Sequence, residues 1–153
     1  FTRMEAGNRR LAEAIAGHPE LLGYVELNPH QLELSCAEME LFMPAGPSDA
    51  PAERELALQN PNLTIIHAHG MDIHWARVIA DVPNICVEFN RSAPSHHEIR
   101  DCLRVLGPHR LMFGSDQTLL SVGASIGLYL DAGLNASERR LILHENAKKV
   151  FHL

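Results

Sequence analysis

The chain has 153 residues, 46% apolar and 21% charged, with ten His and a formal net charge of -6. That composition is globular rather than disordered, and the acidic balance argues against sequence-independent binding to nucleic-acid backbones or anionic membranes. The length supports one sizeable core but falls short of a complete (β/α)8 barrel, which takes roughly 200 residues or more.

Apolar spacing predicts a helix over residues 5–16, stopped by Gly17-His18-Pro19. A strand follows over 21–27, ended by Asn28-Pro29. Helical spacing returns over 31–43, with Leu32, Cys36, Met39 and Met43 on one face. Residues 44–51 read as a breaker run of Pro and Gly, after which Pro51 suits the first turn of a short helix to Gln59. From Leu63 the pattern alternates regularly: strand 63–67, helix 73–80, strand 84–89, helix 95–106, strand 110–113, helix 118–131 and a last helix from Asn135 toward Val150. Ser95-x-x-Glu98 and Asn135-x-x-Glu138 have the form of capping boxes. Such alternation implies parallel strands joined by right-handed crossovers, so the expected class is α/β, in one domain.

Cys36, Cys86 and Cys102 are odd in number and lack C-x-x-C spacing, which points to reduced, buried thiols in a cytoplasmic protein. No apolar run reaches the roughly 18 residues of a membrane span, and the start at Phe1 has no signal-peptide pattern. The expected partner is therefore a small-molecule substrate rather than a nucleic acid or a membrane.

Parallel α/β folds place their sites at the C-terminal ends of the strands. The polar residues there are Asn28, then His67 and His69, then Glu88 and Asn90, then Ser115 and Asp116. His67-Ala68-His69-Gly70 carries an i, i+2 His pair, which on a strand would face one side and could share a metal ion. With this many His, about one such pair is expected by chance. Asp116 follows Phe113-Gly114-Ser115, a turn that could aim a carboxylate at a metal or at the proton of metal-bound water. The alternative for Asp116 is an N-cap on the next helix. His97-Glu98-x-x-Asp101 lacks the second His of a zinc-protease helix, and no P-loop, G-x-S-x-G or G-x-G-x-x-G occurs.

The ordered set Asn60 to Gly70, Pro83 to Glu88, Arg110 to Asp116 and the tail Asn146-Ala147-Lys148-Lys149-Val150-Phe151 resembles the amidohydrolase-related, metal-dependent hydrolases of TIM-barrel fold. This family includes aminocarboxymuconate-semialdehyde decarboxylase, resorcylate-type decarboxylases and pyrone-dicarboxylate lactonase. His18 to Pro29 resembles its third-strand region more weakly, and together the matches span residues 8–43 and 56–153.

The resemblance implies that His69 takes the sixth-strand acid–base or metal-site role. Asp116 takes the eighth-strand role of metal ligand and proton acceptor, and His67 is a further candidate ligand. The implied cofactor is a divalent metal, Zn, with Mn or Fe as alternatives. The implied activity is hydrolysis of a small carboxylated, amide or lactone substrate, with decarboxylation or a non-catalytic remnant as alternatives. The first-strand H-x-H pair and the fifth-strand His of the family have no counterpart here. The resemblance therefore implies a partial barrel of about four of the eight strands, truncated at its N-terminus and with an internal deletion near 43–51. A partial barrel has unpaired edge strands, which invite self-association.

Overall fold

The computed structural model describes residues 9–10, 12–13, 16, 24–26, 43–46, 50–90, 95–117 and 119–153. Among these, five strands lie parallel in chain order: β1 (Tyr24–Glu26), β2 (Met43–Gly46), β3 (Ile65–His67), β4 (Ile85–Glu88) and β5 (Leu111–Met112). They are followed or separated by helices α1 (Ala50–Gln59), α2 (Ile73–Val78), α3 (His96–Leu106), α4 (Val122–Asp131), α5 (Ala136–Arg140) and α6 (Asn146–Phe151). A doubly wound sheet reverses its strand order at a switch point, whereas a barrel wall does not. The sequential order here is that of a barrel arc, and the fold is an α/β partial (β/α)8 barrel. No described helix is long and apolar enough to cross a membrane.

Segment 43–46 corrects the sequence reading. Read as the end of a helix and the start of a breaker, it is a strand, paired to β1 through Tyr24↔Met43 and to β3 through Ala45↔Ile66. Met-Pro-Ala-Gly has little strand propensity of its own, and Pro44 offers no N–H to the ladder. Pairing on both sides imposes the extended backbone, with which the fixed φ of Pro44 is compatible. The described arc thus has five strands, not four. The remainder of the helix expected over 31–43 lies outside the described residues, as does most of the helix expected over 5–16.

Both expected capping boxes are present, at Ser95/Glu98 on α3 and Asn135/Glu138 on α5. The helix expected from 118 begins at Val122, where Ser121 accepts from the Ala124 N–H. The last helix is interrupted by a π-helical turn over Leu141–Glu145. Wider winding frees carbonyls from the i→i−4 ladder, and the Ile142 carbonyl accepts from the Phe113 N–H at 2.9 Å. Asn146 donates to the carbonyls of Pro108 and Leu111, both at 2.7 Å. The terminal helix is therefore clamped to β5.

Strand alternation divides the core in two. Ile65, Ile85, Val87 and Leu111 face the helices and join Leu56, Ile79, Ile99, Tyr129 and Ile142 in the main cluster. Ile66, Cys86 and Met112 face the inside of the arc, where Val150 and Phe151 at the end of the chain pack against them. Cys86 and Cys102 are buried free thiols, and burial pushes Cys102 up to about 12; Cys36 lies outside the described residues. Tyr129 ties β4 to β5, its O–H donating to the Met112 carbonyl at 2.8 Å and accepting from the Phe89 N–H at 3.2 Å. Tyr129→Phe leaves both groups short of a partner in the core. The expected loss is about 1–3 kcal/mol in urea unfolding, with the ring packing on Phe89 and Phe113 retained.

Candidate functional site

A cleft of about 390 Å³ opens on the inner face at the C-terminal ends of β3, β4 and β5. Its polar lining is His69, Glu88, Asn90 and Asp116, and Ile66, Met112, Phe113 and Phe151 contribute apolar wall. The position is the one that the barrel topology dictates.

His69 and Asp116 reach this cleft by the same local device. Both are non-glycine residues at positive φ, +70° and +50° respectively. Only a few per cent of non-glycine residues adopt that region, at a cost of order 1–3 kcal/mol, and such residues cluster at functional sites. Asp116 does not cap the following helix, because Ser121 does. Gly114 provides the close approach: a Cβ there would lie 1.6 Å from Glu88 Oε2.

His67 and His69 do not share a face as the strand spacing suggested. β3 ends at His67, so the alternation that places i and i+2 together stops there. His67 continues the helix-facing side of Ile65 and meets Glu53 of α1, whereas the positive φ of His69 turns the chain into the cleft. His67 Nδ1 lies 2.9 and 2.8 Å from the two carboxylate oxygens of Glu53, and His67 Nε2 lies 3.1 Å from the Gly70 carbonyl. A carbonyl only accepts, so Nε2 carries a hydrogen and Nδ1 shares a proton with the carboxylate. Both ring nitrogens are thus engaged inside the protein.

That pair supports the loop that carries His69. Gly70 donates its N–H to the Glu88 carbonyl at 2.7 Å while its own carbonyl takes the His67 bond. Gly70 sits at φ +70°, and a Cβ would lie 2.5 Å from Phe89 Cδ1, so only glycine fits.

Glu88 and Asn90 were placed at a strand end by the sequence but not singled out for chemistry. The signal was present: in Ile85–Asn90, Cys86, Glu88 and Asn90 alternate with the apolar Ile85, Val87 and Phe89, which puts a carboxylate and an amide on the inner face. Glu88 is 8% exposed and receives a long bond, 3.4 Å, from the His69 N–H. Glu88 Oε2 and Asn90 Oδ1 have no hydrogen-bond partner among the described residues. Burial, with nearby Asp116 adding to it, pushes Glu88 up to about 7.

These donors do not complete a metal centre. Among the described residues, no three of His, Cys, Asp and Glu converge to hold an ion. His69 and Asp116 offer at most two ligands, short of the three protein ligands usual at a catalytic zinc.

The model of the amidohydrolase family matches residues 41–153. No curated protein sequence matches the chain. Among solved structures, the chain is similar to a dihydroxybenzoic acid decarboxylase from Polaromonas sp. JS666, solved with manganese and the inhibitor 2-nitroresorcinol. The TM-score is 0.66 at 15% identity, over 98% of this chain and 75% of that one. A putative 2-pyrone-4,6-dicarboxylic acid hydrolase from Pseudomonas putida gives a TM-score of 0.63 at 16% identity, over 95% and 77%. A zinc-bound amidohydrolase from Burkholderia multivorans gives 0.59 at 16% identity, over 95% of this chain and 57% of that one. At these identities the likeness is one of fold.

Proposed function

Because the chain belongs to the amidohydrolase family, we propose that the cleft is the acid–base part of a hydrolase site for a small substrate. The observation that carries this reading is the convergence of His69 and Asp116, each held at positive φ, on one cleft at adjoining strand ends. Asp116 accepts a proton from the attacking water, and His69, exposed at the cleft edge, delivers one to the leaving group or polarises the scissile bond. The apolar wall of Met112, Phe113 and Phe151 excludes bulk water from the reacting centre. Decarboxylation would use the same two groups, and the similar folds include proteins of both kinds.

Asp116 and His69 would be two ligands of a divalent metal, Zn or else Mn or Fe, which would supply an acidified water there. His67 is assigned to hold the loop rather than the metal, because its nitrogens are already engaged. A second reading, a non-catalytic remnant, is favoured by the lack of a third converging ligand among the described residues.

Metal analysis of the chain after reconstitution separates the two. Stoichiometric metal in the wild type, lost in both His69→Ala and Asp116→Ala, is expected for the enzyme. A folded wild type that retains no metal sinks that reading and leaves the remnant.

A further inference from the structure

We propose that the outer face of α4 is a docking surface for a second copy of this chain, the two α4 helices packing antiparallel across a two-fold axis. The proposal is independent of the cleft and its chemistry.

Three features of α4 have no explanation inside one chain. The first is apolar exposure. Ser125 and Tyr129 turn inward, and helical spacing sets Gly123, Ile126, Gly127 and Leu130 on the side away from them. Ile126 is 38% and Leu130 49% exposed, and Leu119, just before the helix, is 82% exposed. The sequence carries no charged residue between Asp116 and Asp131.

The second is glycine. Gly127 stands in the helix interior and Gly123 in its first turn, where glycine costs stability relative to alanine. Neither has a positive φ. Among the described residues, an added Cβ would meet nothing within 4 Å at Gly127, and only Ser121 Oγ, at 3.7 Å, at Gly123. Neither the backbone nor a neighbour in the chain asks for glycine there. What the two glycines do provide is a hollow, into which the side chains of another helix can sink.

The third is charge. Asp131 is exposed at the C-terminal end of α4, the negative end of the helix dipole, and the last turn has no basic residue.

A second copy answers all three. With the axis between Ile126 and Gly127, antiparallel pairing sets Leu130 over the partner's Gly123 and Ile126 over the partner's Gly127. Large meets small throughout, and one surface matches itself, as a two-fold contact requires. The same pairing brings Asp131 to the N-terminus of the partner's α4, the positive end of that dipole. The uncharged centre lets two chains of net charge -6 meet without opposing like charges. The contact is ten residues of helix long, about 15 Å, so the dimer belongs to the small, reversible class.

The test is sedimentation velocity of the chain, with chelator present, from about 5 to about 500 μM. Monomer is expected to pass to dimer with a dissociation constant on the order of 10–100 μM. Gly127→Gln fills the hollow with a longer neutral side chain of better helix propensity. It is expected to weaken the dimer by at least about tenfold while raising the Tm of the dilute monomer by about 1–4 °C. Leu130→Lys is expected to weaken the dimer at least as much, and Leu153→Lys, exposed away from this face, to leave it unchanged. Far-UV circular dichroism confirms that each variant folds, and if one does not, the other decides. A monomer at every concentration overturns the proposal and leaves the face to a different partner or to solvent. So does self-association that both α4 variants leave unchanged, which is the result expected of pairing through strand edges. A Gly127→Gln chain of lowered Tm also overturns it, because the glycine would then serve its own chain.

Discussion

Replacing Glu53 by Ala is expected to lower the free energy of unfolding by about 3–5 kcal/mol. Glu53 and His67 are each 1% exposed, and the imidazole has no water to turn to when the carboxylate is removed. Breaking one side of such a pair strands the other in a medium where unpaired polar groups are expensive. The cavity left by the buried side chain adds to the cost. Against a typical total of about 5–15 kcal/mol, this is a large share. Glu53→Gln keeps a partner for Nδ1, its amide N–H donating to that nitrogen while Nε2–H stays on the Gly70 carbonyl, and is expected to lose less, about 1–3 kcal/mol. The effect should also be felt in the cleft, because His67 Nε2 holds the Gly70 carbonyl. Hydrogen exchange at the Gly70 amide, which bonds to the Glu88 carbonyl, is expected to accelerate in Glu53→Ala beyond the global loss. A loss below about 1 kcal/mol in urea unfolding, with Gly70 exchange unchanged, would show that the pair does not hold this loop.

The sequence was legible where local rules and tertiary context agree. Leu63 to His67 and Asn84 to Phe89 read as strands from their apolar, β-branched runs, and strands form within them at Ile65–His67 and Ile85–Glu88. Ser95 and Asn135 read as helix starts because their side chains have backbone N–H groups to satisfy, and they do so. Reading failed where the partner is distant in sequence. Met43–Gly46 is extended only because β1 and β3 flank it, and nothing within four residues announces either neighbour. The His67/His69 pair misled because a strand period was extended past the last strand residue. The turn at His69 depends on the Gly70 backbone meeting Phe89 and Glu88, 19 and 18 residues on. His69 and Asp116 are nonetheless legible as strand-end residues, since a polar residue just beyond a parallel strand is placed by topology alone, and both line the cleft. Glu53 was invisible as a partner of His67: on α1 it looks like an ordinary first-turn acid.

Glu88→Gln is expected to make the protein more stable above neutral pH, not less. Burial raises the Glu88 carboxyl from 4.5 to about 7 in the folded chain. Between those values the folded chain holds a proton that the unfolded chain has released. Stability therefore falls as pH rises from about 4.5 through about 7, and the whole penalty is in force above that. A gap of that width corresponds to about 3 kcal/mol. Gln carries no charge at any pH, so urea midpoints of the variant should lack this step. The wild-type minus variant difference isolates it from the titration of the ten His. The expected pattern is near-equality at pH 4 to 5 and a variant advantage approaching 3 kcal/mol at pH 8, order of magnitude. Parallel pH curves would show that Glu88 titrates as an ordinary exposed acid. A carboxylate kept where it costs stability, beneath a glycine that makes room for it, is what a site selected for binding or chemistry retains.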